Sequence, residues 1–390
     1  MPNQRILYAC HQVGLKADGD TGAFTEIHGA QSISNNGINF NLQPYYQLGA
    51  LQIYEQIEDI PDVQVSLNKC LDGYPLMWHL ATTTAPRPTL VGRSKEECIF
   101  GLAIFPDTND ACEGTPNQVV QSSGMFVSSL SYNFPVQGIF TEEITMVGND
   151  RVWANTPDHG ETLNPNLPTP TFSGAFSSTV DDSPIGNGGV NTRRSMIFEY
   201  DPSYGLDVNY MVADPDATIL PPEVYGISDS GTNEKTDGEN FGAHLLSVAI
   251  STQLGREPIY ELGRKAPYTR FASFPVQVTC EIQATATDGD LISATEAGIY
   301  TTGAEQCYDG GNLKNRTIRI ATCEGTRIYL GVKNKLQSTN YTGGDASGGN
   351  VTVTYSFTTF NDMTVLHSGD PNPSGATWWT NREDYLTDQA

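Results

Sequence analysis

Apolar and polar residues alternate with a period of two along much of the chain. In the segment 351–359, Val351, Val353, Tyr355 and Phe357 fall on one face, and Thr352, Thr354, Ser356 and Thr358 on the other. Met125–Phe134 repeats the pattern, with Phe126, Leu130, Tyr132 and Phe134 on one side and mostly Ser and Asn opposite. Pro135–Gly138 then reads as a turn, and Ile139–Val147 resumes extended, which predicts a long β-hairpin. Val63–Leu67 and Val276–Cys280 are two further strands of one type. Helical signals are confined to a turn or two at Pro75–Ala81, Gly92–Glu97 and Asp290–Ala297. The pattern predicts an all-β fold with minor helices.

The middle of the chain breaks this rhythm. Residues 155–190 carry Pro157, Pro165, Pro168, Pro170 and Pro184 with Gly186, Gly188 and Gly189, a composition that excludes a central strand or a helix. Residues 214–240 are again rich in Pro, Gly and Asp, so 155–240 is read as an insertion or small subdomain, with short strands at Ser195–Tyr200 and Leu206–Val212. On either side of it the chain resembles itself. Pro44, Tyr46, Leu48, Gly49, Tyr54 and Pro61 recur 214 positions later as Pro258, Tyr260, Leu262, Gly263, Tyr268 and Pro275. The Val63-Gln-Val65 strand lies on Val276-Gln-Val278, and the strand from Phe126 is laid on the strand from Val351. The expected organisation is a first β-domain at 1–154, the insertion at 155–240, a second copy at 241–370 and a C-terminal tail at 371–390.

Composition narrows the function. Asp and Glu number 45 against 21 Lys and Arg, a formal charge of −24. A chain so acidic lacks the surplus cations by which a nonspecific nucleic-acid binder displaces counterions. No run of apolar residues is long enough to span a membrane as a helix. The seven cysteines form no CxxC pair, and an odd count without a secretion signal predicts reduced thiols. If any pair bridges, Cys98 with Cys112 or Cys307 with Cys323 is the one to watch. No nucleophile elbow, HExxH zinc site, Walker loop or dinucleotide fingerprint is present, and the six histidines are isolated. No catalytic residue, cofactor or metal is assigned, and an acidic β-rich chain with a duplicated domain points to assembly.

Three segments carry a family resemblance: Gln43–Gly73, Gly124–Trp153 and, in the second copy, 262–281. They resemble the tail tube proteins of long-tailed bacteriophages. The resemblance implies stacked rings in which hairpin strands of neighbouring subunits join into a continuous barrel, whose lumen carries DNA and a tape-measure protein. It implies a virion tail component assembled in the host bacterial cytoplasm, with a sheath as a further candidate partner. Many tube subunits have one such domain. A duplicated chain therefore predicts a ring of three chains with sixfold appearance, and six chains is the rival.

Glu55, Glu58, Asp59 and Asp62, with Glu142 and Glu143, are the expected acidic lumen or interface. Arg264, Lys265 and Arg270 occupy equivalent positions in the second copy and are expected to meet that acidic segment. A tail hub or baseplate ring with the same fold is one alternative. A phage carbohydrate-binding β-module, with Trp378 and Trp379 as its platform, is the other.

Overall fold

Alternating small polar and bulky apolar residues hold the chain extended, and the computed structural model of the protein is nearly all β. It describes residues 6, 8–18, 24–85, 87–105, 116, 118–155, 189–197, 244–263, 267–285, 318–322, 326–331, 333–343 and 350–367. In the first half the strands are β1 His11–Ala17, β2 Thr25–Glu26, β3 Ala30–Asn39, β4 Leu42–Tyr46, β5 Ile53–Glu58, β6 Asp62–Cys70, β7 Cys98–Ile104, β8 Gln118–Pro135, β9 Thr141–Gly148 and β10 Val152–Asn155. In the second they are β11 Met196–Ile197, β12 His244–Gln253, β13 Arg256–Ile259, β14 Thr269–Ala272, β15 Gln277–Thr285, β16 Arg319–Thr322, β17 Arg327–Tyr329, β18 Lys335–Thr342, β19 Thr352–Phe360 and β20 Thr364–Leu366. Two short helices, α1 Met77–Ala81 and α2 Leu90–Arg93, lie between β6 and β7.

One strand order occurs twice. In the first half β3 runs into the β4–β5 arm, returns as β6, and pairs on through β9 to β8. In the second half β12 runs into the β13–β14 arm, returns as β15, and pairs on through β19 to β18. All these pairings are antiparallel. The two meanders are joined edge to edge by β8 and β12, with Tyr132 opposite Ile250 and Phe134 opposite Val248. The spine of the molecule is therefore one continuous sheet, β3-β6-β9-β8-β12-β15-β19-β18, and the N-terminal half of β8 also supports β7, β1, β2 and β10.

The irregularities repeat as well. A bulge at Gln31 interrupts β3 against β6, and one at Leu246 interrupts β12 against β15. A bulge at Ser128 interrupts β8 against β9, and one at Gln337 interrupts β18 against β19. A bulge fixes register, because a one-residue slip would turn every side chain to the other face. Superimposing the bulges lays Ser32 on Ser247, Val63 on Val278 and Ser129 on Ser338. This corrects the sequence alignment at two places. The two Val-Gln-Val motifs are out of step by two residues, a shift that period-two alternation conceals. The strand from Phe126 belongs with β18, and it is β9 that matches β19.

One face of the sheet buries a single hydrophobic core that runs under both meanders, from Val65, Leu67, Ile144 and Tyr132 to Ile250, Ile282, Tyr355 and Phe357. The small sheet β11-β16-β17-β20 contributes Ile320, Ile328 and Val365 to it. Trp78 and Met77 of α1 fill the space beneath the first meander. Helix α1 has no side-chain cap of its own. Glu142, fully buried on β9, takes that part: its carboxylate accepts from Met77 N–H at 2.6 Å, Trp78 N–H at 3.0 Å and the Tyr132 hydroxyl at 3.0 Å. Burial pushes its carboxyl above the usual range, opposed by those two N–H bonds. His79 bonds to the carbonyl of Val365 at 3.0 Å and lies 6.3 Å, ring to ring, from His367. It thereby ties the first half of the chain to β20.

Two stability experiments follow from this buried network. Glu142→Ala strands two backbone donors in the core, and loss of about 3 kcal/mol is expected in urea unfolding. A loss no larger than that of an average surface substitution would contradict the capping role. The histidines set a pH response. Burial holds His79 well below its ordinary value of 6.5 and His367 at about 3. The unfolded chain takes up protons below about pH 6.5 that the folded chain refuses, so their contribution is present above that pH and is lost as pH falls toward 3. Glu142 titrates in the opposite sense, so wild type is compared with His367→Gln. The variant should show the shallower decline between pH 7 and pH 5, and equal slopes would refute the assignment.

Candidate assembly surface

The second face of the sheet is not covered by the core, and its composition is the most distinctive surface of the molecule. Across the middle of the face one row reads Asn68, Glu143, Ser131, Ser251, Thr279 and Thr358 from strand to strand. The adjacent row reads Thr141, Asn133, Ala249, Glu281 and Ser356. Hydroxyls and amides satisfy one another along it, as in Ser66 Oγ to Thr145 Oγ1 at 3.0 Å. Glu143 and Glu281, both exposed, are the charged groups in the middle of this face, while Asp62 and Lys335 stand at its borders. A wide hydroxylated sheet face with isolated carboxylates is wettable and carries no apolar patch to bind another protein tightly.

Two arms leave the sheet, one from each meander. Both turn through a glycine in the left-handed region, Gly49 at φ 84° and Gly263 at φ 87°, which explains the recurrent Tyr-x-Leu-Gly motif. Just before those glycines Leu48 and Leu262 are fully exposed, at 101% and 105%. Tyr46, Leu51 and Tyr54 on the first arm and Tyr260 and Tyr268 on the second are exposed too. Large apolar side chains exposed on two-stranded ribbons form a candidate interaction surface.

The expected acidic and basic groups fall into separate places. Glu55 and Glu58 lie exposed on β5, and Asp59 follows at the base of that arm, where it accepts from Gln43 Nε2 at 2.8 Å. None of these three belongs to the open sheet face. Glu142 is corrected outright: alternation turns it toward the core, where it caps α1, and its neighbour Glu143 faces outward. Arg270 and Asp62 do meet, Nη2 to Oδ1 at 2.8 Å, with Arg270 Nε also donating to Asn149 Oδ1 at 3.1 Å. Arg264, Lys265, Trp378 and Trp379 lie outside the described residues, as do most of 155–240 and Cys112, Cys307 and Cys323. Cys10, Cys70, Cys98 and Cys280 are free and buried, and burial pushes the Cys98 and Cys280 thiols up to about 12.

Sequence reasoning missed Arg256. At the base of the second arm it donates from Nη1 to the carbonyl of Ser94 at 2.6 Å and from Nε to that of Val127 at 2.7 Å, and its guanidinium lies 5.3 Å from the Phe126 ring centre. Burial lowers its pKa to about 10, still a cation at neutral pH. Its one available signal was its place just before the recurrent Pro-x-Tyr-x-Leu-Gly motif. Arg256 and Arg270 together fasten the second arm to the first meander. Among the described residues no group of His, Cys, Asp or Glu is placed to hold a metal ion.

No family model and no curated protein matches the chain. Solved structures similar to part of the chain include a sheath/tube terminator of an extracellular contractile injection system in the extended state (16% identity, TM-score 0.30, 40% of this chain and 99% of that one). A sheath-tube complex of such a system (13% identity, TM-score 0.30) covers 40% of this chain and 94% of its own. The anti-feeding prophage cap (16% identity, TM-score 0.30) has the same coverage.

The two arginines should differ in weight. Arg256→Ala removes a half-buried cation from two carbonyls, and about 2 kcal/mol of stability should go with it. Asp62 is 57% exposed on its side chain, so the Asp62–Arg270 coupling in a double-mutant cycle should not exceed about 1 kcal/mol and should shrink with salt. A coupling larger than the Arg256 effect would reverse this ranking.

Proposed function

We propose that the protein is a structural subunit that closes into rings and stacks them into a tube, as the resemblance to phage tail tube proteins implies, with three chains to a ring. The observation that carries this reading is the joint between β8 and β12. One meander already continues into a copy of itself through main-chain pairing, and among the described residues the composite sheet ends in two strands, β3 and β18, that pair on one side only. Further copies added in the same sense close a barrel and leave no edge. Linking two wall units in one chain makes every second joint intramolecular and lowers the entropy lost on assembly.

In that ring the core face is turned outward to the rest of each subunit, and the hydroxylated face lines the channel. Glu143 and Glu281 then repeat around the lumen, giving a thinly negative wall that repels phosphate and lets DNA pass without sticking. The exposed leucines and tyrosines of the arms cover the neighbouring ring, so that rings stack. A tape-measure protein inside, a sheath outside and a place in the virion tail complete the reading.

Negative-stain images of the purified protein should show rings or tubes with three chains per ring layer, counted by native mass spectrometry. Persistent monomers would refute the reading, six chains per layer would refute the stoichiometry, and single rings that never stack would move the protein to a hub. The lumen has its own test. Glu143→Lys with Glu281→Lys should leave assembly intact, because neither side chain packs in the core. The variant tubes should retain duplex DNA in a salt-sensitive way, while wild-type tubes release it. Equal retention by both would place these glutamates elsewhere than on the channel wall.

A further inference from the structure

Resting on the ring reading, the internal joint also specifies how one chain meets the next. We infer that β18 of one copy pairs antiparallel with β3 of a second copy, with Thr342 opposite Ser34 and Ser338 opposite Asn39. The bulges equate β3 with β12 and β8 with β18 residue by residue, so the partners observed at the joint between β8 and β12 can be carried onto the outer edges of β3 and β18. Asn133 faces Ala249 at the joint. Thr342 is the equivalent of Asn133, and Ser34 is the equivalent of Ala249. Beyond Ser34, strand β3 has a second bulge, where it carries one residue more than β6 opposes before Gly37. β12 has no such bulge, so the pairing advances by one there, and Ser129 facing Gln253 becomes Ser338 facing Asn39.

The chemistry of the edges fits such a partner. Among the described strands β3 and β18 pair on one side only. Neither is blunted in the manner of a protected edge: β3 contains no charge and no proline, and β18 has a single lysine at its first position. Both are long, at 10 and 8 residues, and mostly exposed. On the open face β3 presents Ser32, Ser34 and Asn39 and β18 presents Ser338, Asn340 and Thr342, so the pairing places hydroxyls and amides opposite one another, as on the rest of that face, and no buried charge results. Thr342, Ser34, Ser338 and Asn39 all belong to that polar face, since their in-sheet partners Thr352, Ser66, Ser356 and Asp62 do. The contact is head to tail, β18 against β3, which closes rings rather than isolated dimers.

Paired cysteines test the register. Ser34→Cys with Thr342→Cys in one chain, and separately Asn39→Cys with Ser338→Cys, place thiols opposite each other across the joint within disulfide reach. Ser32→Cys with Thr342→Cys is the same-face control, two residues out of step and beyond that reach. Assembled protein is oxidised and run on denaturing, non-reducing gels. Both matched pairs should shift from the mass of one chain to multiples of it, reversibly with reductant, and the control should stay at one. Tubes in which the control links and the matched pairs do not would overturn the register, and tubes in which none link would overturn the pairing. Protein that never assembles, unsubstituted included, would sink the ring reading and this joint with it. Hydrogen exchange on the unsubstituted protein is independent of any folding defect in the variants. Amides of 33–39 and 338–342 should become protected on assembly, and unchanged exchange in intact tubes would overturn the inference.

Discussion

A β-sheet is finite, and its last strands present rows of backbone donors and acceptors that want partners. That constraint organises this molecule. Inside the chain it is resolved once, where β8 of the first meander meets β12 of the second. Elsewhere in the first half it is resolved by extension, as β7, β1 and β2 are laid beside the upper part of β8. Among the described strands it is left open at β3 and β18, each of which pairs on one side only. The duplication, the arms and the polar face all acquire a purpose once those edges are taken as the points of assembly.

The two faces of the sheet divide the labour. On the inner side alternation packs one core beneath both meanders, so the halves cannot part without exposing it. Two of the polar groups admitted there are tied to backbone, Glu142 to the start of α1 and His79 to β20. Lys69 is fully buried and paired with Asp72 at 2.7 Å. On the other side the same alternation brings out serine, threonine, asparagine and glutamine. A face of that kind costs little to leave in water, which suits a channel wall and not a core.

Much of the fold was legible in the sequence because period-two alternation and turn residues act locally. The hairpin at Met125–Val147, the strand from Val351 and the short helix within Pro75–Ala81 were all predicted from such signals. The repeat showed itself through Tyr-x-Leu-Gly because a left-handed glycine and exposed leucine are needed at both arm tips. The register between copies was not legible. Bulges at Gln31 and Leu246 carry no sequence signature, and alternating strands slide past each other by two residues with their pattern intact. Glu142 and Glu143 posed a related problem, since adjacent carboxylates read alike in a composition and point to opposite faces in a strand. Arg256 was missed because its two acceptors are main-chain carbonyls, and carbonyls leave no trace in side-chain chemistry.

Assembly depends on how one copy joins the next, and an electron cryomicroscopy reconstruction of assembled protein measures this directly. It should show residues 335–342 of each chain running antiparallel beside residues 30–39 of its neighbour, in a barrel whose inner wall carries Glu143 and Glu281. A reconstruction in which both strands face solvent, with the chains held together only through their arms, would contradict it.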